Sequence, residues 1–133
     1  MNEIIEQLRE LSETVPVPLT LPTFEQIVDV EEQILISLPN DLKEYLLFGS
    51  DVIYGALEPV TASDPYSHTY LPEVTSYAWS LGMPRDVVAI CQQGEGFYCI
   101  DQDGQVSFWQ DDDFSEDVWE SFWDWVEAVW LAQ

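Results

Sequence analysis

Basic residues are almost absent from this 133-residue chain: three Lys and Arg stand against 26 Asp and Glu, a formal net charge of −23 at pH 7. Binding a phosphate backbone or an anionic lipid surface needs clustered cations, and Arg9, Lys43 and Arg85 lie far apart in the sequence. Nucleic acid and membrane are therefore excluded as expected partners. Cysteine is scarcer still, with two residues. Cys91 and Cys99 match neither a zinc pair nor a redox Cys-x-x-Cys motif, so two reduced, buried thiols are expected. No apolar run approaches the ~18 residues of a membrane span. The start, Met1-Asn2-Glu3-Ile4-Ile5-Glu6, lacks the basic and apolar regions of a signal peptide, and the expected compartment is the cytoplasm.

What the chain does have is core-forming material. With 47% hydrophobic and 14% aromatic residues, burial can offset ordering entropy despite the charge, so a folded chain is expected and not a disordered one. The length suits one domain spanning residues 1–133. A surface this negative speeds encounter with cationic proteins, so charge alone points to a basic protein partner. Solubility is the other use of the same acid.

The front of the chain reads as helical. Residues 3–13 place Ile4, Leu8 and Leu11 on one face with Ile5 beside it, and Glu3, Glu6, Glu10 and Glu13 on another. Val15-Pro16-Val17-Pro18 forces an extended connector, because proline disfavours helix for itself and its predecessor. Thr23-Phe24-Glu25-Gln26 is a capping-box start for a second helix with Ile27, Val30, Ile34 and Leu38 inward, ended by Pro39. Asn40-Asp41 is expected to cap a third, with Leu42, Tyr45 and Leu46 inward and Gly49 as its stop.

From Asp51 the pattern turns to strands. Val52-Ile53-Tyr54-Gly55-Ala56-Leu57 predicts a strand with Gly55 at a bulge or close approach. Residues 61–70 read as a loop and 73–81 as a helix stopped by Gly82. Residues 86–91, 97–100 and 106–109, joined by Gly94-Glu95-Gly96 and Asp103-Gly104, predict a three-stranded antiparallel meander. After Asp111-Asp112-Asp113, a last helix is expected over 115–131, with Val118, Phe122, Trp125, Val126 and Val129 as its core stripe. Trp119, Trp123 and Trp130 extend that apolar surface sideways, either onto the sheet or toward a partner.

Several of these signals, in this order, resemble the SUKH superfamily, which includes bacterial immunity proteins and the fungal Smi/Knr-type cell-wall-assembly regulators. Ile27, Glu31, Ile34 and Leu38-Pro39-Asn40-Asp41, followed by Tyr45-Leu46, look like its helix-entry pattern. Leu81-Gly82-Met83-Pro84-Arg85-Asp86-Val87-Val88-Ala89-Ile90 resembles its Gly-x-Pro turn and first core strand. Gly94-Glu95-Gly96-Phe97-Tyr98-Cys99-Ile100-Asp101, then Gly104, Val106 and Trp109, is similar to its glycine turn and aromatic strands, and Ser121-Phe122-x-x-Trp125-Val126 to its closing helix. The family's Asn-Gly-Gly appears here as Phe48-Gly49-Ser50-Asp51, and residues 3–13 lie outside the matching region. The resemblance implies an α+β fold, with a mainly antiparallel central sheet flanked by N-terminal helices and a C-terminal helix. It also implies no enzymatic activity and, in bacterial members, an immunity protein that neutralises a toxin domain, often a nuclease. A regulatory scaffold like the fungal relatives is the alternative.

The expected partner surface is the densest acidic run, Asp111, Asp112, Asp113, Glu116 and Asp117, with Trp109 beside it. Asp51, Tyr54 and Glu58 form a second candidate. Asp101-x-Asp103-Gly104 copies part of a calcium loop but lacks its further ligands, so a hairpin turn is the better reading and no metal is expected. His68, with Asp64 and Ser67 near it, belongs to no catalytic motif. A carboxylate-based hydrolase would need one buried and one solvated acid in a deep cleft. No catalytic residue and no cofactor is expected, and the expected assembly is a monomer or a weak homodimer.

Overall fold

The computed structural model describes residues 2–133. Helices α1 (Glu3–Leu11), α2 (Phe24–Ile34), α3 (Asn40–Phe48) and α4 (Leu71–Ser80) precede strands β1 (Val88–Gln93), β2 (Gly96–Ile100), β3 (Val106–Gln110) and β4 (Asp113–Trp119). A short helix α5 (Phe122–Trp125) then runs into a π-helical turn, Val126–Trp130. The strands form one sheet in the order β1-β2-β3-β4, every neighbour antiparallel. This is the α+β arrangement expected from the sequence.

Helix α2 starts where the sequence chemistry places it. Thr23 Oγ1 accepts from the Gln26 N–H at 3.2 Å while Gln26 Oε1 accepts from the Thr23 N–H at 2.9 Å, which completes the capping box of α2. Ile27, Val30, Ile34 and Leu38 are buried as expected, but α2 stops at Ile34, because Leu35 enters the left-handed region at φ 59° well before Pro39. Pro39 is instead the N-cap of α3, and neither Asn40 nor Asp41 caps it with a side chain. Helix α1 turns Ile5 and Leu8 inward, leaving Leu11 exposed.

Two elements differ from expectation. Residues 52–57 form no regular strand, because side chains take the hydrogen bonds that a ladder would supply. Gln133 Oε1 accepts from the Ala56 and Leu57 N–H groups at 2.9 and 3.1 Å, and Glu13 Oε2 accepts from Gly55 at 2.7 Å. Gly55 is the expected close approach: at φ 67°, an added β-carbon would stand 2.6 Å from the Gln133 side chain.

The second difference is the C-terminal region. The helix expected over 115–131 begins only at Phe122, where Ser121 Oγ accepts from the Asp124 N–H at 3.1 Å. The preceding residues make β4, a fourth strand. Asp111 and Asp112, at φ 53° and 65°, form the two-residue turn between Gln110 and Asp113, the primed geometry that matches strand twist. In the π turn, the Leu131 N–H donates to the Val126 carbonyl at 2.8 Å, and this wider spacing brings Trp130 into the core five residues after Trp125. Trp125 and Trp130 are fully buried, whereas Trp119, Trp123 and Val129 are half-buried against the core. The tryptophans therefore mostly pack inward.

Cys91 and Cys99 are both free and fully buried. Burial pushes the Cys91 thiol up to about 12 and the Cys99 thiol up to about 11. The unfolded chain ionises these thiols near pH ~8.5, so it releases protons that the folded chain keeps. Stability is thus full below that pH and falls as pH rises toward 11. The urea midpoint is expected to drop between pH 8 and pH 10, and a Cys91→Ala, Cys99→Ala variant to lose that part of the slope. A native protein alkylated rapidly by iodoacetamide at pH 8 would contradict this burial.

Candidate partner-binding surface

Cross-strand pairing sorts the sheet into two faces. Phe97, Trp109 and Phe114 lie opposite one another on β2, β3 and β4, as do Cys99, Ser107 and Val118. This face carries α4, whose Tyr77 ring meets Phe97 edge-on at 6.0 Å. Tyr98 pairs with Phe108 on the other face, where Tyr98 packs against Trp125 of α5 at 5.3 Å.

Under α4 the cover runs out across the strands. Phe97 is fully buried, Trp109 is 3% exposed, and Phe114 is 41% exposed, with Val118 beside it at 52%. Along β4, Asp113 to Val118 are exposed and Trp119 is half-buried. Between Phe114 and Val118 the register slips, so that Ser115, Glu116 and Asp117 all stand opposite Phe108. Such a bulge, together with the charges, blunts the open sheet edge against pairing with another copy.

The structure thus presents Asp111, Asp112, Asp113, Glu116 and Asp117 together on one exposed hairpin. Trp109 does not join them as an exposed aromatic. It packs on Phe97 with ring centroids 6.4 Å apart, because strand alternation turns it toward α4. The exposed apolar groups beside the acid are instead Phe114 and Val118 on β4, with Tyr77 and Leu81 at the end of α4. Sequence reasoning started a helix at Ser115 with Val118 in its core stripe, left Phe114 outside it, and so missed the face the two share. Phe114-Ser115-Glu116-Asp117-Val118 spaces the two apolar residues four apart, a helical interval, so no period-two signal marks the strand.

Among the described residues, no basic side chain pairs with this acid. Arg9 forks onto Asp51 at 3.0 and 3.1 Å and also donates to the Phe48 carbonyl. Lys43 pairs with Glu31 at 3.2 Å, and Arg85 lies over the Trp79 ring at 5.0 Å. All three basic side chains are thus engaged elsewhere, and among the described residues no ion pair reaches the β3–β4 hairpin.

The second candidate set serves internal contacts. Asp51 holds Arg9, and Glu58 lies 3.0 Å from the exposed His68 ring. The Tyr54 carbonyl accepts from Trp130 Nε1 at 3.0 Å and from Gln133 Nε2 at 3.3 Å. These contacts pin residues 51–58 against α1 and the C-terminus. Asp101 Oδ1 accepts from the Asp103 and Gln105 N–H groups, both at 3.0 Å, which makes that segment the hairpin turn expected.

The hairpin tip itself carries a testable strain. Asp tolerates the left-handed region better than most residues, yet glycine suits the second turn position best. Asp112→Gly is therefore expected to stabilise the fold by up to about 1 kcal/mol in urea unfolding. An unchanged or lowered midpoint would contradict the turn geometry.

Comparison with known proteins finds a family and a similar solved structure. The SUKH_5 family model, described as SMI1-KNR4 cell-wall, matches residues 1–131, which brings α1 inside the family region as well. A crystal structure of a protein from Pseudomonas syringae pv. tomato is 55% identical, covers 98% of each chain and superposes with a TM-score of 0.95. No curated protein matches the sequence. With its helices, antiparallel sheet and closing helix in the order the sequence motifs implied, the chain belongs to the SUKH superfamily, in the family described as SMI1-KNR4 cell-wall.

Proposed function

We propose that this protein is a non-enzymatic binding domain that neutralises a basic toxin domain by covering its cationic surface. The observation that carries the reading is the β3–β4 hairpin, where five uncompensated carboxylates flank exposed Phe114 and Val118 on an ordered strand. Interfaces of this kind use apolar anchors for affinity and rim charge for steering. A nuclease active site is built to hold a polyanion, so an acidic domain can occupy the same surface. Membership of a superfamily that includes immunity proteins supports the choice of partner.

The test is a pull-down from native lysate at low and physiological salt, followed by assay of whatever basic protein is retained. Capture of a protein whose toxic activity the domain suppresses in vitro is the expected result. Recovery of cell-wall-assembly or housekeeping regulators, with no activity suppressed, would replace immunity by the scaffold role that the family description also fits.

A further inference from the structure

A cavity of about 440 Å³ lies between α2 and the residue 62–70 loop, and another of about 360 Å³ lies where three elements meet beside the acidic hairpin. The second combines aromatic and acidic walls. Tyr77 and Leu81 come from the last turn of α4, Glu95 from the β1–β2 turn, and Asp111 and Asp112 from the β3–β4 turn, with Trp109 also on its wall. We propose that this cavity seats one arginine side chain of the protein partner. The assignment rests on the partner-binding reading above and names the chemistry of its anchor.

The walls fit a guanidinium in three separate ways. Tyr77 is 52% exposed and offers ring surface to a flat cation, and Leu81 offers apolar surface for the side-chain stem. Glu95, Asp111 and Asp112 supply carboxylates from two different turns, toward which a planar guanidinium can fan its five N–H donors. The third contribution is the C-terminal end of α4, where the helix carries partial negative charge and its last turn contains no basic residue of its own, Arg85 lying over the Trp79 ring of that turn. A volume of about 360 Å³ falls within the range of small-ligand pockets, so a whole arginine side chain can enter.

Asp112 is placed by a close neighbour. At Gly82, where φ is 113°, an added β-carbon would stand 2.6 Å from Asp112 Oδ1 and 3.8 Å from Trp109 Cζ2. Glycine here lets the β3–β4 turn close against the end of α4, which shapes the cavity.

The probes are N-acetyl-arginine amide, its lysine counterpart and the neutral isostere N-acetyl-citrulline amide, titrated into the whole chain and followed by amide and indole NMR shifts. Arginine is expected to give saturable, millimolar-range shifts centred on Tyr77, Glu95, Asp111, Asp112 and the Trp109 indole, with lysine weaker and citrulline silent. Glu95→Gln and Tyr77→Ala should each weaken arginine binding about threefold or more. Equal shifts from citrulline, shifts spread over the whole acidic surface, or none up to about 50 mM would overturn the proposal. The two readings separate cleanly. Arginine binding without any neutralised basic protein would remove the immunity role, whereas neutralisation untouched by Tyr77→Ala would remove the arginine seat.

Discussion

Replacing Phe122 with alanine is expected to destabilise the fold by about 3–5 kcal/mol, a large share of the stability of a domain this size. Phe122 is fully buried at the first turn of α5, where its ring meets Tyr45 at 4.9 Å, Trp123 at 5.3 Å and Trp125 at 5.7 Å. Tyr45 belongs to α3 and also meets Trp130 edge-on at 5.9 Å, so this one ring joins the front helices to the C-terminal turn. Three stiff aromatic neighbours cannot collapse into the space of a lost ring, which puts the loss in the upper part of the usual range. Urea unfolding followed by circular dichroism gives the number directly. A loss below about 1 kcal/mol would mean that α5 is not packed on α3 as described.

Much of this core was legible because its signals are local. The capping box at Thr23, the inward stripe of α2, and Leu42, Tyr45 and Leu46 of α3 all follow from spacing within one helix. The glycine and Asp-Gly turns likewise identified the β1–β2 and β2–β3 hairpins. Residues 52–57 carried strand-like residues, but their backbone is held by Gln133 and Glu13, partners that no local pattern reveals. At the other end, Asp111-Asp112 is an unusual primed turn without glycine, so the hairpin signal was hidden in an acidic run. The apolar residues that follow fit a helical stripe nearly as well as a strand, so Ser121, named in the closing-helix motif, was read inside a longer helix and not as its cap.

The candidate surface was legible in its charge and not in its shape. Asp111, Asp112, Asp113, Glu116 and Asp117 could be named from the run of acid in the sequence. That they stand on a hairpin next to exposed Phe114 and Val118, with Trp109 turned inward, depends on which face each strand residue takes. A one-element error in secondary structure is enough to invert that assignment.

Reversing Asp111, Asp112 and Asp113 to lysine is expected to slow association with a basic toxin domain by about tenfold or more at low salt, and to flatten its salt dependence. Each reversal moves the net charge of −23 by two units, and it does so on an exposed hairpin that no basic side chain of the chain neutralises. Lysine is strained at the positive φ of positions 111 and 112, so the control is the triple asparagine variant, which tolerates that conformation and removes charge without inverting it. Asparagine should give an intermediate association rate and leave unfolding unchanged or slightly improved. Stopped-flow association across an ionic-strength series distinguishes steering from contact: a charge effect fades as salt shortens the screening length, while a change confined to dissociation does not. Unchanged association rates in both variants would remove the β3–β4 hairpin as the steering surface, and the acid there would then serve solubility alone.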